Sequence, residues 1–129
     1  MPTWDEIKDF ARSKYTLSRD EDNWFSLVWD YDAERTQLIS VRRFPYLEQD
    51  WIEFRTFVCK EEELAPRVAL RKNADFAIGA LALDADGDYC MIYNAPLATL
   101  DPDEFTVPLN VLAAVADKLE NEHSAKDEF

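Results

Sequence analysis

The chain has 129 residues, of which 47% are hydrophobic, so it is long enough to build the core of one domain. Its 27 acidic and 14 basic residues give a formal charge of -13. This balance argues against a nucleic-acid-binding protein, because phosphate neutralisation requires a clustered basic surface. We expect a single α+β domain over residues 1–122, followed by a flexible tail at 123–129.

The start of the chain lacks the basic and apolar regions of a signal peptide, and no apolar run approaches the roughly twenty residues of a membrane span. Cys59 and Cys90 both fall in predicted strands. These features predict a cytoplasmic protein with reduced thiols and without membrane insertion.

The first predicted element is an amphipathic helix over residues 4–15, with Thr3 as its N-cap. Its apolar residues recur at helical spacing; they include Trp4, Ile7, Phe10 and Ala11. Two interpretations follow from this pattern. The main one assigns the apolar side to the core, and the other makes part of it, Trp4 above all, a docking surface for another protein.

Three runs rich in aromatic and β-branched residues predict strands at 24–31, 36–44 and 51–60. Their connections are too short for a crossover helix, so the strands should form an antiparallel meander. Alternation assigns one consistently apolar set to the face that meets the helices. This set comprises Phe25, Leu27, Trp29, Tyr31, Ile39, Val41, Ile52, Phe54 and Val58.

The opposite face of these strands combines apolar and charged side chains. The apolar ones are Trp24, Val28, Leu38, Phe44, Trp51, Phe57 and Cys59. That content is higher than a solvated face requires, and it indicates a buried interface.

A short helix is predicted at 64–73, with Pro66 in its first turn and Asn73 as a left-handed exit residue. A hairpin of strands at 76–84 and 89–94 follows. Both strands are apolar on both faces, whereas a two-layer domain of this size covers only one face. A second copy of the chain is therefore the expected cover.

The last predicted helix begins at Asp101, which forms a capping-box pattern with Glu104. An apolar stripe continues the helix towards residue 119. Pro108 leaves two possibilities open, because the helix can restart with Thr106 as a second N-cap or kink at the proline.

The acidic turn DADGD has the look of a calcium loop, but its glycine precedes the third carboxylate, so the spacing favours a plain hairpin turn. His123 is the only histidine and has no Cys or His at ligand spacing. Neither a nucleophile with its base nor a phosphate loop is recognisable. We therefore expect no enzyme, no metal and no cofactor.

In the order helix, three strands, helix, two strands, helix, the chain resembles the type III secretion chaperone-like fold, including YbjN-type and related cyanobacterial proteins. The resemblance covers nearly the whole chain. Its most specific segments are LRKNADF, FAIGALALDADGDYCMIYN, APLATLDPDEF and LNVLAAVADKLE. It implies an α+β fold in which an antiparallel sheet of about five strands packs with helices in the order α-β-β-β-α-β-β-α.

The resemblance also implies a homodimer that binds a partner polypeptide instead of converting a substrate. The partner is expected on the first helix and the first three strands, and the dimer interface on the second helix and the hairpin. The implied partner-binding residues are Trp4, Ile7, Phe10, Trp24, Trp51 and Phe57. The implied dimer-interface residues are Val68, Leu81, Leu83, Met91 and Ile92.

The alternative hypothesis is a small-molecule binding or catalytic domain with a pocket between sheet and helices. The residues that would line this pocket are Trp29, Tyr31, Phe54 and Tyr93.

Overall fold

The computed structural model describes residues 2–32 and 35–123, without the side chains of Tyr31 and Asp32. Within these residues, the fold consists of three α-helices, one short 3-10 turn and one antiparallel sheet. In chain order the elements are α1 (Trp4–Lys14), β1 (Leu17–Asp20), β2 (Trp24–Asp32), β3 (Arg35–Tyr46), β4 (Gln49–Lys60), a 3-10 turn (Glu61–Glu63), α2 (Pro66–Asn73), β5 (Ala80–Leu83), β6 (Asp88–Pro96) and α3 (Pro102–His123). The predicted α+β class is confirmed. Of the predicted tail at 123–129, His123 is the last residue of α3 and residues 124–129 lie outside the described part. The side chain of Tyr31, which the sequence assigns to the core, also lies outside it.

The sheet has six strands in the order β1-β2-β3-β4-β6-β5, and every neighbouring pair is antiparallel. The predicted meander is therefore correct, but the sheet gains one strand. The segment LSRD forms this strand, β1, which pairs with the first half of β2. Sequence reasoning missed it because the segment has one apolar residue, Leu17, and gains its extended form from pairing with β2.

The core lies between one face of the sheet and the helices. Phe105 of α3 is at the centre of this core. The centre of its ring lies 6.3 Å from that of Phe25 and 5.7 Å from that of Phe54, and the Phe10 ring meets it edge-on with the ring centres 5.9 Å apart. The predicted inward set of β2, β3 and β4 is confirmed for the residues that the core contains, and these are Phe25, Leu27, Ile39, Val41, Ile52, Phe54 and Val58. Trp29 packs against the same core from a half-buried position.

Cys59 departs from the predicted alternation. The pairing of β4 with β6 shifts register between Phe57 and Cys59, which is the signature of a β-bulge. The bulge inserts one extra residue, so Cys59 joins Val58 in the core instead of lying on the opposite face. Simple alternation cannot show such an insertion.

Local capping signals set the starts of α1 and α3 as predicted. The Thr3 hydroxyl accepts from the Glu6 backbone N–H at 3.2 Å, and Asp101 and Glu104 form a reciprocal capping box. Pro108 lies inside α3, which runs on without a restart at Thr106. None of the described helices is long and apolar enough to cross a membrane.

The second helix begins later than predicted, since the three glutamates before it form a separate 3-10 turn and Pro66 takes its first position. Asn73 is not a left-handed exit residue, because the positive-φ positions lie elsewhere. Its side chain instead bonds both backbone groups of Leu81, with Oδ1 accepting from N–H at 2.7 Å and Nδ2 donating to C=O at 3.3 Å. This amide therefore satisfies both backbone groups of Leu81 on the free edge of β5.

Candidate functional site

The helices leave one face of the sheet uncovered in the described part of the chain, and we call it the outer face. Strand register and alternation place on it Trp24, Ser26, Val28, Leu38, Ser40, Arg42, Phe44, Trp51, Glu53, Arg55, Phe57, Cys90, Ile92 and Asn94. Neighbours across the strands form rows: Trp24, Arg42, Glu53 and Asn94 make one row, and Ser26, Ser40, Arg55 and Ile92 make the next. Side chains of both rows line the first of two depressions.

The first depression, the arginine groove, has a volume of about 350 Å³. Its lining residues are Trp24, Ser40, Arg42, Glu53 and Arg55. Ser40 lies in the same row as Arg55, and its short side chain leaves space beside Arg55 and beside Trp24 of the adjoining row. The groove thus combines an indole, a hydroxyl and two guanidinium groups.

One carboxylate is shared by both arginines. Glu53 is only 6% exposed, and its two oxygens accept from Arg42 Nε at 3.0 Å and Nη2 at 3.1 Å in a bidentate pair. Arg55 Nε lies 3.2 Å from Glu53 Oε1, the oxygen that already accepts from Arg42 Nε. The contact between Arg55 Nε and Glu53 Oε1 does not have the geometry of a hydrogen bond. Arg55 Nε has no hydrogen-bond partner in the described part of the chain. The hydrogen bonds to Glu53 raise the pKa of Arg42.

The second depression, the aromatic groove, has a volume of about 340 Å³. It is lined by Phe44, Tyr46, Leu47, Trp51 and Asn94. Trp51 is positioned by a hydrogen bond from its Nε1 to the Tyr46 carbonyl at 2.9 Å. Leu47 at the tip of the β3–β4 hairpin is 75% exposed, so the groove presents large apolar side chains to solvent.

The backbone at the tip of the β3–β4 hairpin has an unusual conformation. Leu47 has φ 49° and Glu48 has φ 64°, and both lie in the left-handed region although neither is glycine. A two-residue turn of type I′ between antiparallel strands has positive φ at both positions, and asparagine, aspartate or glycine normally supplies it. An exposed leucine kept in an unfavourable conformation is a reason to look for a functional role.

The structure separates the predicted partner-binding residues into two groups. Trp4 and Ile7 are buried in the core, where Trp4 stacks on Phe25 at 5.5 Å, and Phe10 is half-buried against it. This burial favours the first interpretation of α1, which assigns Trp4 and Ile7 to the core, where they are 4% and 5% exposed. The other predicted residues, Trp24, Trp51 and Phe57, lie half-buried on the outer face.

Sequence reasoning missed Tyr46 and Leu47, which it treated as part of a connection. The signal was present, because two large apolar residues interrupt an otherwise polar loop, PYLEQD. Their importance depends on their proximity to Phe44 and Trp51, which only the folded hairpin provides.

The predicted dimer residues also divide. Met91 and Leu81 are core residues under the chain's own helices. Ile92 is half-buried on the outer face, whereas Val68 and Leu83 are exposed. Leu70 of α2, which the sequence did not single out, is 71% exposed. The need for a second copy over β5 is smaller than expected, because the outer positions of β5 are the small residues Ala80 and Ala82.

Side chains fill the space of the predicted small-molecule pocket. Phe54 is fully buried and packs against Phe105 and, at 6.0 Å, against Tyr93. Trp29 instead pairs with Tyr15 at 5.3 Å and lines a separate surface depression of about 490 Å³. The residues predicted to converge therefore do not form one cavity, and the Tyr31 side chain lies outside the described part.

The acidic turn is a hydrogen-bonded hairpin turn. Asp84 Oδ1 accepts from the backbone N–H groups of Asp86 at 2.9 Å and Asp88 at 3.0 Å, and Gly87 has φ 83°. Within residues 2–32 and 35–123, no group of three or more Asp, Glu, His or Cys side chains is arranged to hold a metal ion.

The surroundings of both thiols make them poor nucleophiles. Cys59 and Cys90 are free and buried, and burial, with smaller contributions from nearby acidic groups, raises the pKa of Cys59 to about 11. Burial raises the pKa of Cys90 as well. Since the thiolate is the nucleophilic form, neither residue is suited to covalent catalysis near neutral pH.

No protein-family model matches the chain, and no curated protein matches it significantly in sequence. Solved structures do match. A chain of the HopA1–SchA chaperone–effector complex superimposes with a TM-score of 0.66 at 14% identity, over 88% of this chain and 88% of that one. A chain of the ExsC–ExsE complex gives 0.65 at 18% identity, over 97% and 98%. This protein has the type III secretion chaperone-like fold.

Proposed function

We propose that this protein is a non-enzymatic binding module that holds a partner polypeptide on the outer face of its sheet. The observation that carries the proposal is the outer face itself, on which two adjoining grooves present aromatic and cationic side chains without cover from a described helix. The similarity to a chain of a chaperone–effector complex supports the same role.

The shape of the outer face suits an extended chain better than a small molecule. Both grooves are open depressions on a sheet, whereas small-molecule sites enclose most of their ligand. Successive outer-face rows are two residues apart along each strand, a spacing of roughly 7 Å that equals the distance between alternate side chains of an extended peptide. Consecutive alternate residues of one peptide can therefore occupy consecutive rows.

The remaining chemistry of the chain supports binding over catalysis. The thiols are buried and protonated, and His123 stands near the end of α3, with Nε2 at 3.8 Å from Glu122. The shared Glu53 is held in ion pairs with both arginines, which suit it to organising their guanidinium groups. We place the protein in the cytoplasm, where free thiols such as these remain reduced.

A second copy is proposed at the edge formed by α2 and β5. Val68, Leu70 and Leu83 are large apolar residues exposed on these two elements. Because Asn73 already bonds the backbone of Leu81, the two copies should meet through side chains and not by joining strands. Leu81 and Met91 then support this edge from inside.

Affinity capture from the native organism tests the partner-binding face. The double variant Trp24→Ala/Trp51→Ala should lose polypeptides that the unaltered protein retains, while the control Val107→Ala, an exposed residue of α3, should retain them. Circular dichroism and melting temperature establish that the variants remain folded. Equal retention by all three proteins would rule out the outer face as the binding surface.

Sedimentation at micromolar concentration tests the dimer. Leu70→Asp should convert a dimer to a monomer, whereas Val107→Asp, which adds the same charge to an exposed position of α3, should not. A monomeric unaltered protein at tens of micromolar would refute the dimer and leave the partner-binding proposal standing.

A further inference from the structure

The arginine groove holds an unbalanced charge. Arg42 and Arg55 share one carboxylate, Glu53, so the groove carries one net positive charge on a protein whose formal charge is -13. The guanidinium of Arg42 is already engaged by two interactions. It forms a bidentate pair with Glu53, and its Cζ lies 4.8 Å from the centre of the Phe44 ring. Arg55 is therefore the cation available to a ligand.

The groups around Arg55 select the kind of ligand. Its guanidinium nitrogens and the Ser40 hydroxyl are hydrogen-bond donors lining one groove, and Trp24 adds an apolar wall. One available positive charge matches a carboxylate. A phosphate dianion would leave one negative charge uncompensated beside the buried carboxylate of Glu53, at a cost that grows in a partly desolvated site.

We propose, on the basis of the proposed function, that the arginine groove binds the carboxylate of an aspartate or glutamate of the partner polypeptide. The aromatic groove then takes an apolar side chain of the same segment. Along β3 the outer positions run Ser40, Arg42, Phe44 and Tyr46, so the centres of the two grooves are one to two rows apart. The partner segment should carry its acidic and apolar residues two or four positions apart in extended form.

The long-range field of this acidic protein opposes an acidic ligand, so the contact must gain its energy at short range. A charge-assisted hydrogen bond in a groove that excludes part of the solvent provides such a gain. The expected signature is an acidic preference confined to one position of the ligand, because elsewhere acidic residues meet a repulsive field.

Selection from a library of random dodecapeptides displayed on phage tests the proposal. Immobilised unaltered protein should enrich peptides with Asp or Glu two or four positions from an aromatic or aliphatic residue. Arg55→Gln removes the cation and leaves the Arg42–Glu53 pair, so it should lose the acidic preference and keep the apolar one. The matched control is Arg71→Gln, at an exposed position of α2. This variant should behave as the unaltered protein.

Synthetic copies of an enriched peptide make the test quantitative by fluorescence anisotropy. Replacing the acidic residue by its amide should weaken binding about tenfold to the unaltered protein and to Arg71→Gln, and by less than twofold to Arg55→Gln. Arg55→Lys, which keeps the charge, should restore part of the tenfold difference. Acetate and inorganic phosphate at equal concentrations should displace the peptide to similar, small extents.

The outcomes separate this inference from the function on which it rests. If no peptide is enriched, the binding role itself fails and the carboxylate site with it. If peptides are enriched without an acidic position, or if the amide substitution weakens binding equally in Arg55→Gln, the binding role stands and the carboxylate site is wrong. Displacement by phosphate far below the acetate concentration would also overturn it, since the groove would then be a general anion site.

Discussion

Replacement of Leu47 by asparagine should stabilise the protein, although it removes a large apolar side chain. Leu47 occupies the left-handed region with φ 49°, which costs a leucine about 1 kcal/mol and asparagine considerably less. The side chain is 75% exposed, so the substitution forfeits only about a quarter of the burial energy of a leucine, roughly 0.5 kcal/mol. The expected net gain is therefore about 0.5 kcal/mol.

That gain corresponds to a rise in melting temperature of about 2 °C for a chain of this size, measurable by calorimetry or circular dichroism. The matched control is Leu70→Asn, which changes the same residue type at 71% exposure but inside α2. Asparagine is a poorer helix former than leucine, so this control should lose about 0.5 kcal/mol. The same substitution at the same exposure should thus act with opposite sign.

A melting temperature that falls for both variants would refute the argument, because the backbone of the turn would then impose no penalty on leucine. Binding provides the second readout. If Leu47 is retained for contact with a partner, Leu47→Asn should weaken the binding of the peptides enriched by phage display while it stabilises the protein. Stabilisation without any loss of binding would show that the leucine has no role in the aromatic groove.

Three further predictions concern the framework that holds the outer face in place. Gly79→Ala should lower the free energy of unfolding by about 2–3 kcal/mol in urea titrations, because Gly79 has φ 85° and a Cβ would meet a backbone oxygen of β6 at 3.1 Å. Asn73→Ala should cost about 1–2 kcal/mol by the same assay, since it leaves two backbone groups of Leu81 without their partner; an unchanged midpoint would mean that water replaces the amide freely. Hydrogen bonds from Arg12 and Lys8 lower the pKa of Asp20 from 3.8 to about 2, so the stability that this carboxylate contributes is complete above its unfolded pKa and is lost as the pH falls through about 2. The difference in unfolding free energy between the unaltered protein and Asp20→Asn should therefore stay constant above about pH 5 and shrink towards pH 2, and a difference that grows on acidification would contradict this assignment.

The arginine groove illustrates how a polar cluster can serve both folding and recognition. Glu53 is buried at the centre of β4, where an unpaired carboxylate would be strongly destabilising, and its bidentate partner Arg42 satisfies it. The second cation, Arg55, is not needed for that purpose, since its Nε makes no hydrogen bond in the described part of the chain. A residue beyond the structural requirement is the better candidate for contact with a ligand.

Several elements could be read from the sequence because their causes are local. The N-cap at Thr3 and the capping box from Asp101 to Glu104 depend on side chains within one helical turn. The meander followed from connections too short for any crossover. Alternation along β2 and β3 assigned the inward residues correctly because these strands pair with each other without a bulge between positions 24 and 30.

Other positions could not be read because their environment is supplied by distant parts of the chain. The bulge in β4 moved Cys59 into the core, and its cause is the register of the pairing with β6. Trp4 was open to two interpretations until its ring was found stacked on Phe25, twenty-one positions away in sequence. In each case the deciding contact joins residues that no window of sequence brings together.

The sequence by itself therefore determined most of the secondary structure, apart from β1 and the 3-10 turn, and the antiparallel order of the other early strands, because capping, alternation and loop length act over a few residues. The resemblance to the secretion-chaperone fold was also visible in the sequence. Only the tertiary structure decided which apolar residues remain at the surface. Burial depends on what packs against a side chain, so Trp24 and Trp51 became surface residues while Trp4 and Met91 became core. The two grooves of the outer face exist for the same reason, since each combines residues of different strands whose meeting is set by sheet register.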